Sequence, residues 1–159
     1  MTTEFVSALN LTSAPQIVPA SLPVYSPLHV FEFLQSHYQL TEPLVIIGFS
    51  AGVVGSIGAA QRWQQHGGQI QALIAIDGWG VPLSGQFPIY RLSHDWFTDW
   101  SCQWLGATEQ RFYAEPGVGH LDLWRSPTQT PGWQIHGQVR TKTTASQFLR
   151  QVLQLAHSL

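Results

Sequence analysis

The sequence predicts an α/β protein: a mostly parallel sheet with flanking helices, arranged as a three-layer sandwich. Three observations carry this reading. Apolar runs of strand length alternate along the chain with segments of helical period. Two of the runs, 44–47 and 70–76, are apolar on both faces, as central parallel strands are. And Gly48-Phe49-Ser50-Ala51-Gly52 joins the first of these runs to a helix-compatible stretch.

The elements follow in chain order. Residues 4–9 are expected to form a short strand, and a second short strand is expected near 16–19 within a stretch rich in Pro, Ser and Thr. Pro27 through Tyr38 reads as a helix, with Leu28, Phe31, Leu34 and Tyr38 at helical spacing, Ser26 as N-cap and Pro27 in the first turn. Residues 44–48 are the strand before the Gly-x-Ser-x-Gly turn. A helix is expected over 51–66, ending at Gly67-Gly68. Gly52, Gly55 and Gly58 recur in it, each costing about 1 kcal/mol against alanine. The compensation expected is close approach of this helix to the sheet. Strands at 70–76, 87–92 and 109–114 follow, the last taken as the final strand. A helix is expected over 95–105, and a C-terminal helix over 143–157 carries Phe148, Leu149, Val152, Leu153 and Leu155.

Composition bounds the function. The 159 residues suit one domain spanning 1–159, and 44% hydrophobic content is enough for a core. Net charge is −2 with no basic run, which argues against nucleic acid as a partner. The single Cys102 has no partner for an internal disulfide, so a reducing, cytoplasmic setting is expected. The N-terminus lacks the basic and apolar regions of a signal peptide. No window approaches the roughly 18 uninterrupted apolar residues of a membrane span. No His-x-x-x-His pair or cysteine cluster suggests a metal, and no phosphate loop or in-register dinucleotide fingerprint is present, so no cofactor is expected.

The Gly-x-Ser-x-Gly turn carries the chemistry. A sharp strand-to-helix turn drives its central residue toward strained φ/ψ, and flanking glycines let the chain fold back tightly. The serine hydroxyl is then lifted clear of the backbone. The helix start adds free N–H groups and a positive dipole end beside it. That arrangement suits acyl transfer. Ser50 would attack a carbonyl carbon once a base removes its proton. Histidine is the residue type whose ordinary range suits such a base near neutral pH, and His120, in Gly117-Val118-Gly119-His120, is the candidate. An acid would hold the imidazole in its productive tautomer.

These residues resemble the α/β-hydrolase superfamily, whose chain order is nucleophile, acid, histidine. The resemblance covers roughly residues 16–157. It implies Ser50 as nucleophile and His120 as base. It implies Asp95, after Pro88-Ile89-Tyr90-Arg91-Leu92, as acid, because the family usually places its acid after the penultimate strand. Asp77, at the end of the strand that follows the serine helix, is the rival acid. The backbone N–H of Ala51 would be the first oxyanion donor. Departures from the family pattern are a shortened N-terminal half, no lid insertion and no clear second oxyanion loop, with Asn10-Leu11-Thr12 the nearest candidate. The implied fold is thus a reduced α/β-hydrolase-like sandwich.

Each residue also has a plainer reading. Ser50 and Asp95 could cap the helices that follow them, and His120 could be a turn histidine. His94 and Asp122 adjoin the candidates without falling on the expected strand ends. Trp96, Trp100 and Trp104 share one helical face; the plain expectation is that this stripe packs on the sheet. An acyl-binding wall and a homo-oligomer interface are the alternatives. Trp79 and Trp124, which follow strand ends, and Phe49, inside the turn, are the expected substrate contacts. The function expected is a serine hydrolase acting on a small-molecule ester or thioester with an apolar acyl part. The alternative is a non-catalytic binding or interaction module on the same fold.

Overall fold

The computed structural model describes residues 2–11, 13–106 and 108–158. Its elements run α1 (Thr2–Leu9), α2 (Pro27–His37), β1 (Leu44–Phe49), α3 (Gly52–Gln65), β2 (Ile70–Ile76), β3 (Ile89–Ser93), α4 (Trp96–Cys102), β4 (Gln110–Ala114), α5 (His120–Arg125), β5 (Pro131–His136), β6 (Val139–Thr144) and α6 (Ala145–His157). The six strands form one sheet in sequence order. β1 to β4 are parallel, while β5 and β6 run antiparallel to their neighbours. The α/β class is therefore as the sequence implies, with an antiparallel extension it did not anticipate. No helix among the described residues is long and apolar enough to cross a membrane.

The sheet divides the core in two. Ala72, Ile74 and Ile76 of β2, Tyr90 and Leu92 of β3, and Phe112 and Ala114 of β4 pack with α1 and α6. The alternate positions Leu73, Ala75 and Ile89 pack with α2 and α3, where Val53, Ala60 and Trp63 are fully buried. A period-2 strand with both faces covered needs apolar residues at every position, which is why β2 reads as a continuous apolar run. The β1–β2 register slips at its start: Leu44 pairs with Ile70 but Val45 with Ala72. The extra residue, Gln71, reverses the parity, so Ile70 joins the α3 side of the core.

Several expectations are corrected. Residues 4–9 lie in helix α1, not a strand: Phe5 and Leu9, one turn apart, are both buried against the sheet. A six-residue apolar stretch does not separate a period of two from one of 3.6, and Asn10 at φ 52 then ends the helix in the left-handed region. No strand forms at 16–19, which is irregular and largely exposed. The sheet also does not end at Ala114. Pro131 and Gly132 read as punctuation, but they open β5, which turns through Gly137 at φ 58 into the β-branched β6. A two-residue Gly-x connection between strands is a hairpin signal that the sequence does contain.

Two helix packings also differ. Added Cβ atoms at Gly55 and Gly58 would meet Val24 O at 2.0 Å and Pro27 at 2.6 Å. These glycines admit the incoming α2 segment, not the sheet. The close approach of α3 to the sheet is made instead by Gly48 of β1, where a Cβ would lie 2.7 Å from Ser56 Oγ. The Trp96/Trp100/Trp104 stripe does not pack on the sheet: these side chains are 55%, 47% and 85% exposed. α4 turns Thr98, Asp99 and Cys102 inward, and Asp99 is anchored by Arg111 Nε of β4 at 3.1 Å.

Candidate active site

The C-terminal ends of the parallel strands meet along one edge of the sheet, the position where open α/β sheets place their ligand crevices. Ser50 directly follows β1, Asp77 follows β2, His94 follows β3, and His120 opens α5 after β4. Together they line a cavity of about 420 Å³ with Ala51, Val54, Trp79, Val81 and Thr98.

Ser50 has φ 52, a region costly for a side-chain-bearing residue. Its N–H donates to Ile76 O at 2.8 Å, which locks the turn to the neighbouring strand. Asp77 repeats the device on the next strand, at φ 53 with its N–H donating to Leu92 O at 2.8 Å. The strained turn after β1 is the geometry expected of Gly-x-Ser-x-Gly. The second, after β2, has no such motif to announce it. Among the described residues the Ala51 N–H has no hydrogen-bond acceptor, and Ala51 faces the cavity.

The carboxylate that meets His120 belongs to Asp77, not Asp95. His120 Nδ1 donates to Asp77 Oδ2 at 2.7 Å, and the Asp77 side chain is 1% exposed. Asp77 Oδ1 accepts the His94 backbone N–H at 2.9 Å, which fixes the rotation of the carboxylate. Asp95 instead caps α4, accepting the Thr98 N–H at 2.7 Å, and its other oxygen lies 3.6 Å from His94 Nε2. Partial burial pushes the Asp95 carboxyl up, but hydrogen bonding from Thr98 and nearby His94 pull it below the usual range. Burial raises the Asp99 carboxyl, and Arg111 only partly offsets this.

His94 is the residue that sequence reasoning passed over. Its Nδ1 lies 2.9 Å from Asp77 Oδ2, close enough for an ion pair if protonated. The approach is out of line for a hydrogen bond, so this buried nitrogen has no hydrogen-bonding partner. Asp77, His94 and His120 thus present three ligand-type atoms within 4.8 Å of one another. They are scattered in the sequence, 17 and 43 residues from Asp77, so spacing alone did not suggest a cluster.

The aromatic candidates separate. Trp79 lines the cavity and donates its indole N–H to Ser101 Oγ at 3.0 Å. Phe49 stacks on His120, with ring centroids 4.8 Å apart and planes at 23°. Trp124 lies behind Phe49 at 4.9 Å and stacks on Phe5 at 3.7 Å. Phe49 and Trp124 therefore support the histidine from behind and line a different concavity, of about 500 Å³, along β1 under α1 and α2. That larger groove holds neither Ser50 nor Asp77; Ser50, Asp77, His94 and His120 all line the smaller cavity. Leu11 of the expected second oxyanion loop lines the larger groove as well, while Thr12 lies outside the described residues.

No protein-family model matches the chain, and no curated protein matches it either.

Proposed function

We propose that this protein is a serine hydrolase that cleaves an ester or thioester with an apolar acyl part through an acyl-enzyme intermediate. The observation that carries the reading is the 2.7 Å contact between buried Asp77 and His120 Nδ1, in a cavity that Ser50 also lines. It is supported by the resemblance to α/β-hydrolases, whose order of nucleophile, acid and histidine is kept with Asp77 as acid. The likeness is to a reduced form of that sandwich.

In this reading Asp77 accepts from His120 Nδ1–H, which leaves the Nε2 lone pair free to take a proton. As Ser50 Oγ attacks the acyl carbon, its proton passes to Nε2. The developing oxyanion meets the Ala51 N–H and the positive end of α3. His120 then returns the proton to the leaving alcohol or thiol. A water deprotonated by His120 attacks the acyl-enzyme and frees the acid and Ser50. Val54, Trp79 and Val81 offer the acyl part an apolar wall. The cycle as written needs no cofactor.

The test is labelling with a fluorophosphonate probe, which phosphonylates an activated serine. Wild type is expected to label. Ser50→Ala and His120→Ala are expected to abolish labelling, and Asp77→Asn to slow it by about four orders of magnitude. Absence of labelling in folded wild-type protein would sink the proposal and favour a non-catalytic ligand-binding role. The observation behind that alternative is that Leu11, of the loop expected to carry a second oxyanion donor, lines the larger groove and not the Ser50 cavity.

A further inference from the structure

We propose that Asp77, His94 and His120 form a binding site for a divalent transition-metal ion of the zinc type, and that the ion switches the serine site off. The switch rests on the hydrolase reading above; the metal site does not.

The geometry supplies three donors of the types zinc takes: two imidazole nitrogens and one carboxylate oxygen. His94 Nδ1 and His120 Nδ1 approach the same atom, Asp77 Oδ2, at 2.9 and 2.7 Å. Ligands about 2.0–2.2 Å from a tetrahedral ion stand roughly 3.3 Å apart, so both nitrogens must draw back about half an ångström from Asp77 Oδ2, and the two nitrogens, within 4.8 Å of each other, must converge on the same ion. The two histidine side chains, 27% and 42% exposed, have room to move, while Asp77 is held. His94 Nδ1 is buried without a hydrogen bond, a state that is costly for a polar atom and relieved by coordination. Part of an outer shell is present: Asp77 Oδ1 accepts the His94 N–H, and Asp95 Oδ2 lies 3.6 Å from His94 Nε2. Two neutral imidazoles and one carboxylate would leave a Zn²⁺ site with net charge +1, and its fourth position would open on the cavity.

Coordination and catalysis exclude one another. A neutral imidazole has one lone pair and one N–H. In the hydrolase cycle Nδ1 carries the hydrogen and Nε2 the lone pair. A metal on Nδ1 reverses this: the hydrogen moves to Nε2, which no longer accepts the Ser50 proton. The ion also takes the Asp77 oxygen that held the ring.

Isothermal titration of Zn²⁺ into the metal-free chain tests the site, with Co²⁺ absorption as a second probe of wild type. One equivalent of Zn²⁺ is expected to bind, and Co²⁺ to give the visible bands of a four-coordinate nitrogen and oxygen site. His94→Gln and Asp77→Asn are each expected to weaken Zn²⁺ by more than about tenfold, since even outer-shell losses reach that size. His66→Gln, on the far end of α3, is expected to leave it unchanged. Wild type that shows no stoichiometric Zn²⁺ binding, or binding that survives intact in His94→Gln, overturns the site. Fluorophosphonate labelling is expected to fall with Zn²⁺ and return with EDTA; full labelling of the zinc-loaded chain overturns the switch. Because calorimetry does not depend on labelling, a chain that binds zinc and never labels overturns the hydrolase reading, and the switch with it, but leaves the metal site standing.

Discussion

Ser50 and Asp77 are non-glycine residues at φ 52 and 53 on adjacent strand ends, and each holds a strained backbone of about 1–3 kcal/mol. The strain is carried by the hydrogen bonds that each amide makes to the next strand, and it aims both side chains at one cavity. Asp95 does something different with the same functional group. As the N-cap of α4 it satisfies the Thr98 amide, and replacing it with alanine is expected to cost about 0.5–2 kcal/mol at neutral pH. Its carboxyl lies below the ordinary value, so its contribution is present above the ordinary carboxylate range and is lost as pH falls through the lowered folded value. Urea denaturation of wild type and Asp95→Ala should therefore show a gap at pH 7 that closes in acid. A gap that widens in acid would refute this assignment.

At the scale of elements, α3 carries glycines with very different room around them. Gly55 faces the backbone carbonyl of Val24, which has no flexible end to swing aside. Gly55→Ala is expected to destabilise by about 1–3 kcal/mol through overpacking. Gly52 has nothing nearer than Val24 at 4.0 Å, so Gly52→Ala should gain helix propensity of up to about 1 kcal/mol. Thermal melts of the pair separate the two roles; equal shifts would show that propensity alone governs both sites. α1 has a part that its distance from the site conceals. Phe5 stacks on Trp124, Trp124 meets Phe49 at a tilt and Phe49 stacks on His120, so the first helix steadies the His120 ring through three aromatic contacts. α4 turns its apolar-looking stripe outward because the inward face is taken by the Asp99–Arg111 pair and Cys102.

Across the whole molecule, burial falls from the centre of the sheet to its antiparallel rim. β2 and β3 are buried on both faces and flanked by strands on both sides. β6 is an edge strand whose side chains Val139 to Lys142 are exposed. Arg140 and Lys142 on that rim discourage edge-to-edge pairing. Native-state hydrogen exchange is expected to be slowest at Leu73–Ile76 and much faster along β6. Equal protection of the two would mean that β6 is covered by something not described. β1 is the other edge, and it is apolar, with the larger groove running beside it.

The sequence by itself determined the α/β class, the strands β1 and β2, helices α2, α3 and α6, the serine turn and the histidine loop; β2 is central as its apolar run implies, but β1, read as central too, is an edge strand. These are local patterns: a doubly buried strand must be apolar throughout, a helix must repeat near 3.6, and Gly-x-Ser-x-Gly is read within five residues. Tertiary structure decided what depends on distant partners. Phe5 and Leu9 became helical because together they cover the sheet. β5 and β6 formed because each supplied the other's hydrogen bonds. The carboxylate beside His120 is Asp77, since facing the imidazole depends on where β2 ends relative to α5, a separation of 43 residues that no motif spans. His94 entered the site the same way, brought beside Asp77 by the parallel pairing of β2 with β3. Local periodicity is written in the chain, but convergence at strand ends is set by register, and register is settled only when the sheet closes.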